Sequence, residues 1–282
     1  MPASSPQGAV SRPASEPNDP PPGGVDPAPA ADSGTAAQSE PAPEAPPESI
    51  VAINRATLRS VDFRKARFDR FSLAGCLFIT CDFRAVRFDK RYQGMFSARP
   101  ASIFRDCRFD GADLRRVRPG EARFERCTFD DADLEGWRSE AAEFIGCRFA
   151  GRLGHVTFSG KPIGNVGRGV ERKRNEFADN DFREADLDGV VFTHGIDLAA
   201  QRLPMDERYV RLDRFPQRIA HARTEVIRWE VQAERIAAVA LLQELSARYR
   251  DQKEVIASRV SATGPNARVQ TRLWALLERA IG

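Results

Sequence analysis

The sequence predicts a mainly β protein: a β-helical solenoid, preceded by a disordered tail and followed by an α-helical segment. Three observations point there. Large apolar residues recur at five-residue spacing in three blocks between Leu58 and Phe192. Residues 1–48 are dominated by Pro, Ala, Ser, Gly and Glu. From about residue 200 the fivefold spacing gives way to a helical one.

Five is neither a helix period nor a strand period. Five helical residues turn through roughly 500°, leaving successive large residues about 140° apart. In a flat strand an odd spacing puts them on opposite faces. A chain that turns a corner after every fifth residue keeps the middle residue of each short side pointing inward, and its coils stack as a solenoid. The middle residues form three blocks: Leu58, Phe63, Phe68, Leu73, Phe78, Phe83 and Phe88; then Phe104, Phe109, Leu114, Phe124, Phe129, Leu134, Phe144 and Phe149; then Phe177, Phe182, Leu187 and Phe192. The residue two places before each is usually small.

The pentads "ADLRR" (112–116), "ADLEG" (132–136) and "ADLDG" (185–189) resemble the pentapeptide-repeat family, whose consensus is A-(D/N)-L-x-x. The resemblance covers roughly residues 50–199. It implies a right-handed quadrilateral β-helix with four pentads per coil, the middle residue and the small residue two before it both facing inward. On that frame Phe104, Phe124 and Phe144 form one ladder (face 1) and Phe109, Phe129 and Phe149 the next (face 2). Leu114 and Leu134 form face 3, and the misfits Pro119 and Ser139 fall on face 4. Placing Leu73 on face 3 and Phe83 and Phe88 on faces 1 and 2 makes residues 91–101 replace faces 3 and 4 of one coil. Residues 152–174 then replace the same faces of a later one. This gives a regular wall and an irregular wall. Loops held on a rigid scaffold carry function disproportionately often, so the irregular wall is the candidate partner surface, with Arg118, Trp137, Arg138, Lys161, Asn165, Arg168, Arg172, Lys173 and Arg174 as candidate contacts.

All five cysteines, Cys76, Cys81, Cys107, Cys127 and Cys147, occupy the small inward position. Cys107, Cys127 and Cys147 should stack about 4.8 Å apart. Thiols in one parallel column do not converge on a zinc ion, and there is no C-x₂-C pair. They read as reduced, buried fillers of alanine-sized slots, and no metal or cofactor is expected. The triplets Arg67-Phe68-Asp69, Arg87-Phe88-Asp89 and Arg108-Phe109-Asp110 predict an arginine column beside an aspartate column on face 2, read as a self-neutralising wall.

Charge bears on partners. Residues 1–48 carry Arg12 against seven acids, a net of −6, which leaves +9 for the remainder of a chain of net +3. A tail of that composition buries too little apolar area to offset its ordering entropy. Some members of the family protect DNA gyrase by imitating duplex DNA, which needs an acidic shaft. Residues 49–203 hold 28 Lys and Arg against 23 Asp and Glu, the opposite sign. Nucleic-acid binding through "RGVERKR" (168–174) lacks aromatic platforms, which are committed to the core. The glycines of "GNVGRG" (164–169) have no following Lys-Ser/Thr. His155, His194 and His221 lie in no recognisable nucleophile motif. The reading is a non-enzymatic interaction scaffold with a protein partner, the topoisomerase-protecting DNA mimic and nucleic-acid binding being the alternatives. No apolar run approaches the ~20 residues of a membrane span and no secretory signal is visible, so a cytoplasmic location is expected.

The expected organisation is a tail over 1–48, a β-helix over 49–199 and a helical segment over 200–282. A helix starting near Pro216 and carrying Ile219, Val226, Trp229, Ala233, Ile236, Ala240 and Leu245 should run to about Arg250. After the Gly264-Pro265 break, Asn266 should cap a last helix bearing Val269, Leu273, Leu276 and Ile281. These helices would cover the open end of the solenoid, and by resemblance could also form a homodimer.

Overall fold

The computed structural model describes residues 50–66, 70–88, 94, 96–115, 117–165, 167–258 and 265–279. The expected tail, Phe68 and Ile281 lie outside them.

Short parallel strands stack in columns, one strand per coil. Face 1 is a six-stranded sheet of β2 (Thr57–Arg59), β4 (Leu77–Ile79), β5 (Ile103–Arg105), β6 (Arg123–Glu125), β9 (Glu143–Ile145) and β12 (Phe177–Ala178). Face 2 begins as single bridges, Asp62 to Asp82 to Arg108 to Thr128, and continues through β7 (Thr128–Asp130), β10 (Arg148–Arg152) and β13 (Asp181–Asp186). Face 3 is held by bridges from Arg87 to Asp113 to Asp133, and by Arg152 paired with Asp186. Face 4 holds β1 (Ile50–Asn54) on β3 (Arg70–Ala74), and further along β8 (Arg138–Ser139), β11 (Thr157–Ser159) and β14 (Val191–Thr193). The corners are left-handed residues two places after the inward one: Ser60, Thr80, Asp106 and Arg126 on face 1, and Gly111 and Gly136 on faces 2 and 3, all with φ between 51° and 76°.

The inward ladders make one core. On face 1 the rings of Phe78, Phe104, Phe124 and Phe144 stack at 4.8, 5.2 and 5.1 Å. On face 2 Phe63, Phe83, Phe109, Phe129, Phe149 and Phe182 stack at 4.5–5.1 Å. The two ladders meet edge to face, as between Phe124 and Phe129 at 5.6 Å, the arrangement aromatic quadrupoles favour. Leu114 and Leu134 are fully buried on face 3, and Cys107, Cys127 and Cys147, two places before the face 2 phenylalanines, are fully buried as well. The thiols do form a column. The amides following Cys107, Cys127 and Cys147 donate to the carbonyls of Cys81, Cys107 and Cys127. Each thiol also donates to a carbonyl of the preceding coil, Cys127 to Phe104 and Cys147 to Phe124 at 3.3 Å. Burial pushes the Cys127 and Cys81 thiols up. The column ends in amides: Asn180 accepts from the Cys147 N–H and donates to the Phe144 carbonyl, both at 2.9 Å, and Gln201 accepts from Asn180 in turn.

The face assignment before Phe104 is corrected by one side. Phe78, not Phe83, pairs with Phe104, and Asp82 bridges to Arg108, which puts Phe83 on face 2. Arg87 bridges to Asp113, so Phe88 lies on face 3, while Leu73 precedes face 1 and sits on face 4. Residues 91–101 therefore interrupt face 4 alone. Phe96 turns inward from that loop to meet Phe104, Phe109 and Phe124 edge-on at 5.1–6.3 Å, supplying the missing inward side chain. Gly120, at φ 58°, lets the loop approach, since a Cβ there would come within 2.5 Å of the Ser97 Cα. The second insertion is also smaller than 152–174. Leu153 fills face 3 and Phe158 fills face 4, paired with Ser139 and Phe192. The excursion runs from Gly160 to Asn175, which hydrogen-bond to each other at 3.0 Å. Finally, the three R-F-D triplets do not form one column: Arg87 is on face 3, Arg108 on face 2, and residues 67–69 and 89 lie outside the described ones.

Beyond the coils, β15 (Tyr209–Leu212) pairs antiparallel with β16 (Val255–Ser258) across two intervening helices, a long-range pairing the sequence did not signal. The single expected helix is two: α1 (Phe215–Ile227) and α2 (Gln232–Arg248), broken where Trp229 buries itself. Ile236, expected on the buried side, is exposed. α3 (Ala267–Glu278) starts at Asn266 without a side-chain capping bond. Its buried side, Val269, Leu273, Leu276 and Leu277, packs with Phe215, Val226 and Leu242 in a second core. That unit closes on the last coil: Gln252 accepts from the Gly195 and Ile196 amides at 2.7 and 2.8 Å, and the Arg250 carbonyl accepts from His194 N–H at 2.7 Å. No described helix is long and apolar enough to cross a membrane.

Candidate functional site: the loop-bearing face

On three walls of the solenoid most arginines are paired with carboxylates of the same wall, Arg59, Arg87 and Arg152 being exposed exceptions. On face 2, Arg64 and Arg84 pair with Asp62 and Asp82, Arg148 with Asp130, and Arg183 with Asp181, at 2.6–3.0 Å. On face 1, Arg123 contacts Glu125, Glu143 and Glu176, and Arg105 pairs with Glu125. On face 3, Arg115 bridges Asp113 and Asp133 of successive coils. Arg64 holds the Asp62 carboxyl down to about 2. Exposed pairs of this kind contribute little stability each, but they leave these walls with few free charges.

Face 4 is different. Arg118, Arg168, Lys173 and Arg174 are exposed and have no ionic partner among the described residues. Arg138 is 74% exposed, with Glu140 only at 3.5 Å. The fold gathers them. Arg118 lies one coil before Arg138, and the Gly160–Asn175 excursion folds back over β8, with Ile163 N–H donating to the Glu140 carbonyl at 3.1 Å. Arg99 of the first loop pairs with Glu121 and donates to the Arg168 carbonyl, tying the two loops together. Among the other expected contacts, Asn165 is exposed, Lys161 pairs with Asp251 at 2.9 Å, and Arg172 is turned inward to Glu143 and the Ala141 carbonyl. Trp137 is corrected outright: it is 2% exposed and its indole N–H donates to the Leu114 carbonyl at 2.7 Å. It occupies the small inward position two before Ser139, and the small serine leaves it room.

Beside this patch, a cleft of about 790 Å³ separates face 4 from α2 and α3. Arg138 and Ile163 stand at its rim, and Val191, Leu241, Leu245 and Trp274 give it apolar walls. Two histidines open onto it. His155 is paired with Glu135 at 2.7 Å, and burial lowers His194. Ser159 Oγ lies 3.3 Å from His194 Nδ1, but its own hydrogen goes to the Lys161 carbonyl at 2.7 Å, and the serine is 1% exposed. It is a structural hydroxyl at this geometry. No group of three or more His, Cys, Asp or Glu among the described residues converges on a metal position.

A family model described as pentapeptide repeats, in eight copies, matches residues 102–136. Residues 102–136 are thus pentapeptide repeats. No curated protein matches it. Among solved structures it is similar to three of QnrB1, described as a plasmid-mediated fluoroquinolone resistance protein. One trypsin-treated variant is 17% identical, covering 56% of this chain and 84% of that one, with a TM-score of 0.28. A second trypsin-treated variant is 20% identical, covering 54% and 69%, at 0.22. The full-length form is 15% identical, covering 54% and 82%, at 0.24.

The sequence missed the cleft entirely. Its walls come from strands on face 4 and from helices that follow much later in the chain. The one available signal was α2 itself, in which Ile236, Val239, Leu241 and Leu245 spread around the helix rather than along one stripe.

Proposed function

We propose that this pentapeptide-repeat protein is a non-catalytic interaction scaffold, a right-handed quadrilateral rod over residues 49–199 that presents face 4 to a protein partner in the cytoplasm. The contrast between faces carries the reading. Faces 1–3 are regular and their charges are largely paired, whereas both loops, the group Arg118, Arg168, Lys173 and Arg174, and the cleft lie on face 4. The paired carboxylates also weigh against an acidic imitation of DNA. The segment 200–282 closes the last coil. Its α1–α2 elbow leaves Ile227, Val231 and Ile236 at 69, 52 and 64% exposure, which supports a homodimer contact there.

The test replaces residues 162–172 by a short Gly-Ser linker, sparing Leu153 and Phe158, and compares proteins retained from host lysate by the full chain and by the variant, both melting alike. Loss of a retained protein supports the reading; identical sets of retained proteins contradict it. Light scattering at micromolar concentration should give twice 31.3 kDa, and a monomer mass would remove the dimer.

A further inference from the structure

The exposed cations of face 4 and the cleft are continuous. Arg138 belongs to both, standing in the patch with Arg118 and at the rim of the cleft with Ile163. A ligand engaging the patch therefore has an apolar recess next to it, walled by Val191, Leu241, Leu245 and Trp274. We propose that this surface binds an acidic linear segment of a protein partner, with carboxylates on Arg118, Arg138, Arg168, Lys173 and Arg174 and one bulky apolar side chain anchored in the cleft.

Charge complementarity selects the class of partner. Elsewhere on the shaft the guanidinium groups of Arg64, Arg84, Arg105, Arg115, Arg123 and Arg148 are already held by carboxylates of this chain. On face 4, Arg118, Arg168, Lys173 and Arg174 have no such partner among the described residues and Arg138 has only Glu140 at 3.5 Å, and guanidinium forks suit a partner's carboxylates. A nucleic acid fits less well. Glu140 and Glu171 interrupt the patch where a phosphate track would continue, and Phe96, Trp137 and Phe158 of this face are buried, leaving no base-stacking platform among them. The cleft adds what a purely electrostatic surface lacks, a recess with apolar walls in which one side chain of a partner can be buried.

This inference rests on the scaffold reading and names its partner's chemistry. The probe is a fluorescein-labelled peptide of about twelve residues, all Glu and Asp except two leucines, titrated with the full chain by anisotropy. Binding should weaken about tenfold in R118E/R138E. It should change less than about twofold in the charge-matched R55E/R59E, whose arginines are also exposed and free among the described residues but lie on the first coil. Exchanging the leucines for serine should weaken it by a further several-fold in the wild type, a readout that needs no protein variant. Equal losses in the two double variants, indifference to the leucines, or tighter binding of a mixed-sequence DNA duplex would each overturn the proposal. If R118E/R138E still retains the partner lost on removing residues 162–172, the acidic chemistry falls and the scaffold stands. If the wild type retains nothing, the scaffold reading itself falls.

Discussion

Truncating Phe124 to alanine probes the solenoid core where it is most constrained. The ring is fully buried and stacked between Phe104 at 5.2 Å and Phe144 at 5.1 Å. Phe96, Phe109 and Phe129 meet it edge-on at 5.6–5.8 Å. Loss of a buried phenyl group costs about 3–5 kcal/mol, the higher values where the surroundings cannot collapse. Collapse is blocked here: the backbone of Phe124 is paired on both sides, to Phe104 and to Phe144, so the walls cannot close on the void. Phe124→Ala should therefore lose about 4 kcal/mol or more. Phe124→Leu should lose only about 1–1.5 kcal/mol, because a leucine in the same inward position is what Leu114 and Leu134 already supply on the next face. Urea unfolding followed by far-ultraviolet circular dichroism reads both as shifts in midpoint at constant slope. A loss below about 1 kcal/mol for the alanine variant, or equal losses for the two, would refute a closed core at this position.

The five native thiols should resist Ellman's reagent in the folded chain and react together once urea unfolds it; prompt reaction of Cys127 without denaturant would contradict its burial. Asn180→Ala leaves the Cys147 N–H and the Phe144 carbonyl without their partner, and should cost about 2–4 kcal/mol in the same urea assay, against a fraction of that for Asp179→Ala at an exposed corner. Acid should destabilise the shaft. Arg64, Arg84 and Arg183 hold the carboxyls of Asp62, Asp82 and Asp181 below their usual range, Asp62 to about 2. Groups depressed on folding stabilise fully above their unfolded values and lose that contribution as pH falls through the folded ones. Stability measured by urea midpoint should thus hold from pH 7 to about 4.5 and decline toward pH 2. A midpoint that rises over that interval would mean these pairs are absent in solution. Burial raises Asp130 and works against this trend at that one position.

The period of five was legible because it is a local property: each inward phenylalanine and the small residue two before it can be counted without knowing the coil. The face on which a pentad lies is not local. Phe83 and Phe104 are 21 apart, one more than a coil, and counting alone favours the one-residue insertion. The chain instead puts Phe78 opposite Phe104, 26 apart. The long loop is compensated by Phe96, which fills the core from a position no repeat count marks. Likewise the four-residue step from Phe149 to Leu153 broke the count and hid Leu153 and Phe158 as core residues. At the candidate site, Arg118 and Arg138 could be found because they follow the repeat, and Trp137 was misread because a large aromatic stood where the repeat holds small residues. The cleft was invisible, since it depends on how the helical segment closes on β14.

The central claim is one coil per layer on face 1, insertions notwithstanding. Spin labels at Arg59→Cys and Ala178→Cys test it, the native cysteines being buried. The two positions are joined through Ile79, Arg105, Glu125 and Ile145 by five parallel pairings. At about 4.8 Å per pairing, double electron–electron resonance should report a backbone separation of about 24 Å. A separation of about 35 Å or more would mean that the insertions add layers of their own, and face 1 would not be a continuous column.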